Sequence, residues 1–229
     1  NSILLALVVG IGFGVVIGLI NGLLVTKLKL PAFLATLGMM ELVRGGAMWI
    51  TDTAAVPIEN KTFCNIFGIG EVAGIPVLVL WTILFYIVGI LIFNKGTFGR
   101  HILATGGNEN SAIYSGINTK KVKIIAFTMS GAFAAFAGIM YAARMQAGRY
   151  SYGDGDEMSV IAAVVLGGTA MSGGTGSVIG ALFGSVLMGM MNNAVILANL
   201  SSAQQTMIKG GIIILAVALS NLSQGKKKN

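Results

Sequence analysis

Residues 158–208 read MSVIAAVVLGGTAMSGGTGSVIGALFGSVLMGMMNNAVILANLSSAQQTMI, a run without one Asp, Glu, Lys or Arg. In water such a stretch has no polar coat. In a bilayer, whose hydrocarbon core of roughly 30 Å takes about 20 apolar helical residues, it is too long for one helix, and the glycine-rich break at 167–176 divides it. This gives a short segment at 158–169 and a full one at 177–197. The same ruler marks spans at 3–24, which is free of charge, at 33–51 behind Pro31, and at 76–93, 122–143 and 207–222. Seven crossings predict an all-α polytopic membrane helix bundle over 1–229, read as one transmembrane domain. The composition agrees: 55% of the 229 residues are hydrophobic and 10% charged, against about 25% charged in a globular domain.

Loop charges provide an independent count, because cytoplasmic loops collect Lys and Arg. The segments at 25–32, 94–123 and after 222 hold Lys27, Lys29, Lys95, Arg100, Lys120, Lys121, Lys123, Lys226, Lys227 and Lys228 against the single acid Glu109. The opposite set, 52–75 and 144–157, holds Lys61, Arg144 and Arg149 against Asp52, Glu59, Glu71, Asp154, Asp156 and Glu157. Seven crossings place every basic loop and the C-terminus in the cytoplasm and Asn1 outside. The chain opens without an initiator Met, so an odd number of spans is expected upstream if a complete version starts in the cytoplasm.

Several chemistries are disfavoured. The formal charge of +7 is spread over loops rather than interleaved with aromatics, so it points to anionic lipid and topology, not to nucleic acid. One cysteine, Cys64, and one histidine, His101, make neither a disulfide nor a metal cluster. Residues 168–175 match the spacing of a phosphate loop, but Gly174 stands where the lysine is required, so no nucleotide site and no enzyme activity are expected in this chain. Ion-coupled carriers place ionisable groups at mid-membrane. Here only Glu41 and Arg44 lie deep in a span, where i, i+3 spacing allows either a structural ion pair or a role in the path or gate. Asn192 and Asn193 fit either a path lining or interhelical hydrogen bonding.

Small residues set the packing, since close backbone approach drives helix association in lipid. Gly10, Gly14, Gly18 and Gly22 form one glycine face, Gly176, Gly180 and Gly184 another, and Gly131, Ala134, Gly138 and Ala142 a looser one. The loop at 94–121 carries the clearest local signal. Asn108 is a good N-cap, Glu109 suits the first turn and Gly116 suits the position after the last, which predicts a two-turn helix over 108–115. It serves either as a cytoplasmic docking knob or as a plain connection.

Thr36-Leu37-Gly38-Met39-Met40 with Arg44-Gly45, Phe98-Gly99-Arg100, Ala104-Thr105-Gly106-Gly107-Asn108-Glu109, Ser115-Gly116-Ile117-Asn118, and Ile161–Thr169 with Gly173-Gly174 occur in this order. In that order they resemble the permease subunits of bacterial ABC importers for ribose and related simple sugars. The resemblance implies about ten spans, so about three precede this chain. It also implies a second permease copy, identical or paralogous, a cytoplasmic ABC ATPase carrying ATP and Mg, and an extracytoplasmic sugar-binding protein, all at the bacterial inner membrane. Gly106, Gly107, Asn108, Glu109, Ser115, Gly116 and Ile117 would then form the coupling loop to the ATPase. The acidic outer segment with Tyr150, Tyr152, Asp154, Asp156 and Glu157 would dock the binding protein, or remain a solvated loop. Rival classes are an ion-coupled carrier or channel for a small polar solute, and a membrane scaffold.

Overall fold

The computed structural model describes residues 3–198, 201, 203–208, 210–212, 214 and 218. Asn1, Lys209, the lysines at 226–228 and much of the span expected at 207–222 lie outside the described residues. The chain divides into two compact units, Asn1–Leu84 with Asn118–Tyr152, and Phe85–Ile117 with Gly153–Asn229. Helix is the dominant structure and the strands are two-residue pairs, as expected of a polytopic bundle.

In the first unit α1 (Ile3–Thr26) and α7 (Thr119–Met145) pack face to face. Their seam is built from missing side chains. A Cβ on Gly18 would strike the Phe127 carbonyl and lie 2.9 Å from Thr128 Cα, and one on Gly22 would lie 2.9 Å from Ile124 Cα. Gly14 meets Ala135 and the backbone of Gly131, and Gly10 lies under Ile139. The looser face read on α7 is corrected accordingly: Gly131 is on the seam, but a Cβ on Gly138 would meet nothing within 4 Å, and α1 is met along the 124–128–131–135 row instead. The opposite face of α1 leaves Leu4, Leu5, Val8 and Val9 more than half exposed, a surface suited to lipid rather than water.

Helix α2 (Ala32–Thr51) starts directly after Pro31 and ends at Asp52 in the left-handed region, φ 49°. Beyond it, Val56–Pro57 pairs antiparallel with Ala147–Gly148, and α3 (Lys61–Cys64) runs into a π turn, Asn65–Ile69. A hairpin of Glu71–Val72 and Ile75–Pro76 leads into α4 (Val77–Ile90). Phe63, Phe67, Trp81 and Phe136 pack their rings together at centroid distances of 5.0–6.0 Å. Trp81 Nε1 donates to the Ile66 carbonyl at 3.0 Å, which ties the π turn to α4.

In the second unit α4 continues into a π turn, Leu91–Lys95, and then α5 (Thr97–Gly107), α6 (Glu109–Tyr114), α8 (Asp156–Leu166) and α9 (Val178–Leu197) follow. A Cβ on Gly180 would strike the Gly167 carbonyl, and one on Gly184 the Ala163 carbonyl, which joins α8 to α9 around Ala162, Ala163 and Met188. Gly176 is not on this face. It precedes the N-cap Ser177, whose side chain accepts from Gly180 N, and its nearest neighbour is the Thr169 side chain at 3.4 Å.

Four helices among the described residues have the length and apolarity to cross a membrane: Ile3–Thr26, Val77–Lys95, Thr119–Met145 and Val178–Leu197. α2 has the length, but Glu41 and Arg44 dilute its apolarity. α8, with 11 residues, rises only about 16 Å, half of a hydrocarbon core. The turn after it satisfies its own backbone, with Thr169 N donating to Val164 O, Gly173 N to Ala170 O and Ala170 N to Thr175 O at 3.0–3.1 Å.

Candidate functional site

The loop between α4 and α7 is more structured than its sequence indicated. Within the segment read as the loop at 94–121, residues Thr97–Gly107 form α5, an 11-residue helix. A Cβ on its Gly99 would meet the Phe93 backbone, with Phe93 Cα at 2.7 Å, so α5 folds tightly back on the end of α4. Arg100 and His101 interrupt the hydrophobic pattern there and hide the helix from a reading by spans. α7 also starts earlier than expected, because Asn118 Oδ1 accepts from Lys121 N at 3.0 Å. Lys120, Lys121 and Lys123 are therefore in its first turns rather than in the loop.

The two-turn helix is α6. Asn108 leaves helical geometry at φ −155°, ψ 107°, and its Oδ1 accepts from Ser111 N at 2.9 Å. Glu109 occupies the first turn, where negative charge suits the helix dipole. Ser115 Oγ donates to the Ser111 carbonyl at 3.0 Å. Gly116 then turns left-handed at φ 81°, which L side chains disfavour. Its N–H donates to Ile113 O at 2.9 Å and Ile117 N to Ala112 O at 3.0 Å. Ala112 is buried at 3% exposure while Tyr114 stands out at 91%. Sequence reasoning overlooked Tyr114; an aromatic beside a capped turn was its signal. Replacing Asn108 by Ala removes the cap and is expected to cost about 1 kcal/mol of local helix stability, read as faster amide exchange at Ser111.

Gly106 and Gly107 prepare this helix from below. A Cβ on Gly106 would lie 3.0 Å from Gly174 N and 3.5 Å from Gly173 Cα, and one on Gly174 would lie 2.8 Å from Gly107 Cα. Gly173 and Gly174 are both left-handed, at φ 88° and 82°. The stretch that failed as a phosphate loop is thus a backbone-to-backbone joint holding the α5–α6 corner to the end of α8. Thr105, one residue before the joint, is buried, with an Oγ1 that finds no partner among the described residues.

The remaining candidates are dispersed. Arg44 Nη1 lies 3.8 Å from Glu41 Oε1, with the Arg44 side chain 24% and the Glu41 side chain 67% exposed. Asn192 is half-buried and Asn193 exposed on α9. Tyr152 stacks on Tyr141 at 5.5 Å, and Tyr150 is half-buried nearby in the first unit. Asp154 and Asp156 are exposed in the second unit, and Asp156 and Glu157 form the first turn of α8. The tyrosines and acids read as one docking segment therefore fall in separate units. Among the described residues no group of three or more His, Cys, Asp or Glu is placed to hold a metal ion.

Comparison with known proteins places this arrangement. Residues 1–217 match the family described as branched-chain amino acid transport system / permease component. The chain belongs to this permease family. It is 38% identical over 224 residues to the ribose import permease protein RbsC of Escherichia coli K12, covering 96% of this permease and 70% of that protein. It is 34% identical over 228 residues to the L-arabinose ABC transporter permease protein AraH of Azospirillum brasilense, covering 100% and 67%. It is 40% identical over 194 residues to the probable ABC transporter permease protein YphD of E. coli K12, covering 85% and 58%. This permease thus spans 58% to 70% of the length of these relatives. No solved structure matches it.

Proposed function

We propose that this permease is the membrane subunit of an ATP-driven importer for ribose or a related simple sugar in the bacterial inner membrane. The observation that carries the reading is its identity to permeases named for ribose and arabinose over nearly its whole length. The capped helix α6, with Ile113 and Tyr114 facing outward, supports a coupling role for the loop. In this reading a cytoplasmic ATPase, binding ATP and Mg, takes α6 into a cleft. Closure of the ATPase pushes α6, and the α5–α6 corner passes the movement to α8 through the glycine joint. The spans of two permease copies then rock between outward-open and inward-open states. An extracytoplasmic binding protein docks on the segment at 150–157 and supplies most of the specificity.

Two substitutions test the coupling role in proteoliposomes holding the complete transporter. Glu109→Lys reverses the first-turn charge. Gly116→Pro removes the N–H that closes α6 and cannot adopt φ 81°. Both are expected to lower pentose uptake more than tenfold, while the ATPase subunits still hydrolyse ATP and the permease still inserts. Unchanged uptake in both would remove the coupling assignment. Accumulation of pentose against its gradient without the ATPase would favour the ion-coupled class instead.

A further inference from the structure

We propose that the cavity walled by α1, α2 and α7 binds a neutral polyhydroxylated solute of monosaccharide size, with Asn21 and Arg44 as its main hydrogen-bonding partners. This deepens the importer reading and rests on it. The cavity lies wholly within the first unit and measures about 470 Å³, inside the roughly 300–1,000 Å³ range of small-molecule sites. Its mostly apolar wall is interrupted by Asn21 of α1, Thr36 and Arg44 of α2, Ser130 of α7 and Tyr150.

Asn21 is the decisive residue. Its Oδ1 is closed off from the surface and finds no hydrogen-bond partner among the described residues. Buried polar atoms are almost always paired, and an exception calls for a reason. Within a membrane span the demand is stricter, and polar side chains there mark solute paths. Asn21 itself lines the cavity, so a turn of its amide would bring this oxygen to a hydroxyl donated by a bound solute.

The rest of the wall favours an uncharged partner rich in hydroxyls. Arg44 only donates, Asn21 does both, and Ser130 and Tyr150 can do either. Thr36 spends its proton on the Ala32 and Phe33 carbonyls at 3.0 and 3.1 Å, which leaves its oxygen to accept. Sugar hydroxyls donate and accept in turn, which matches this mixture. Glu41, 3.8 Å from Arg44, offsets the guanidinium charge, so the wall does not single out an anion. No carboxylate is among the lining residues to hold the ammonium of an amino acid.

Residues 1–229 contain one cysteine, Cys64, so Cys64→Ser removes the thiol of this stretch. On that background Ala134→Cys and Ser130→Cys, both at cavity-lining positions, are made separately, assembled into the complete transporter in proteoliposomes and treated with a small methanethiosulfonate. D-ribose or L-arabinose in excess is expected to slow labelling of both thiols at least fivefold, and L-leucine to leave it unchanged. Equal rates with and without sugar in both variants overturn the site, as does protection by L-leucine alone or failure of both thiols to react. Pentose uptake by the Cys64→Ser parent is measured alongside. Absent uptake with sugar protection retained would fail the importer reading and keep the site; uptake without protection would do the reverse.

Discussion

Replacing Gly174 by Val is expected to lower ATP-driven uptake by the complete transporter at least tenfold. Gly174 is left-handed at φ 82°, where a side chain costs on the order of 1–2 kcal/mol. Its Cβ would also lie 2.8 Å from Gly107 Cα, backbone that cannot swing aside like a flexible side chain, and overpacking of this kind adds about 1–3 kcal/mol. The strain is relieved by parting the α5–α6 corner from the end of α8, which breaks the route by which α6 would move the spans. Gly168 is the control. It is equally left-handed, at φ 87°, but a Cβ there would meet nothing within 4 Å. Gly168→Val therefore carries the backbone cost without the collision, and its uptake should stay at least about fivefold above that of Gly174→Val, since the collision alone, about 1–3 kcal/mol, corresponds to a factor of about five or more. Uptake of labelled pentose, normalised to permease in the membrane, checks both. Equal loss in the two variants would assign the effect to backbone strain and leave the joint without a role.

Gly18→Leu is expected to be strongly damaging to the first unit. The added side chain starts 2.9 Å from Thr128 Cα and against the Phe127 carbonyl, so α1 and α7 must separate along their shared seam. A loss of roughly 3 kcal/mol, the upper end for overpacking, should appear as a lower thermal midpoint of the purified protein in detergent. Trp81, stacked on Phe67 and tilted against Phe136 of α7, offers a fluorescent reporter. Gly12→Leu on the same helix meets no atom within 4 Å and exchanges a poor helix former for a good one. It should be neutral or stabilise by up to about 1 kcal/mol. Similar losses at both positions would mean that residues other than these glycines hold the seam.

Reading by segments located α1, α2, α4, α7 and α9 to within a few residues, because each is long and apolar enough to be recognised alone. The caps of α6 were equally legible, since Asn108 and Gly116 act on backbone groups three residues away or fewer. α5 was not, because Arg100 and His101 break its apolar pattern and its close approach to Phe93 at Gly99 leaves no mark in the spacing. The glycine faces were visible as spacing, but spacing names no partner. Nothing in the α7 sequence distinguishes the 124–128–131–135 row from the small residues Ala134 and Gly138 beside it. Asn21 was passed over entirely, as a single polar residue in an apolar run becomes notable only when its oxygen is seen to be buried and unpaired.

From sequence alone, this chain was determined to be a helical membrane protein with a capped helix between spans. Lipid and water act on each segment separately, and capping is local. Only the tertiary structure decided that the 173–174 turn grips Gly106 and Gly107, that α1 meets α7 on one particular row, and that Asn21, Arg44 and Ser130 line one cavity. Those outcomes depend on backbones distant in sequence approaching so closely that a side chain would not fit between them, and no local pattern records which pair will do so.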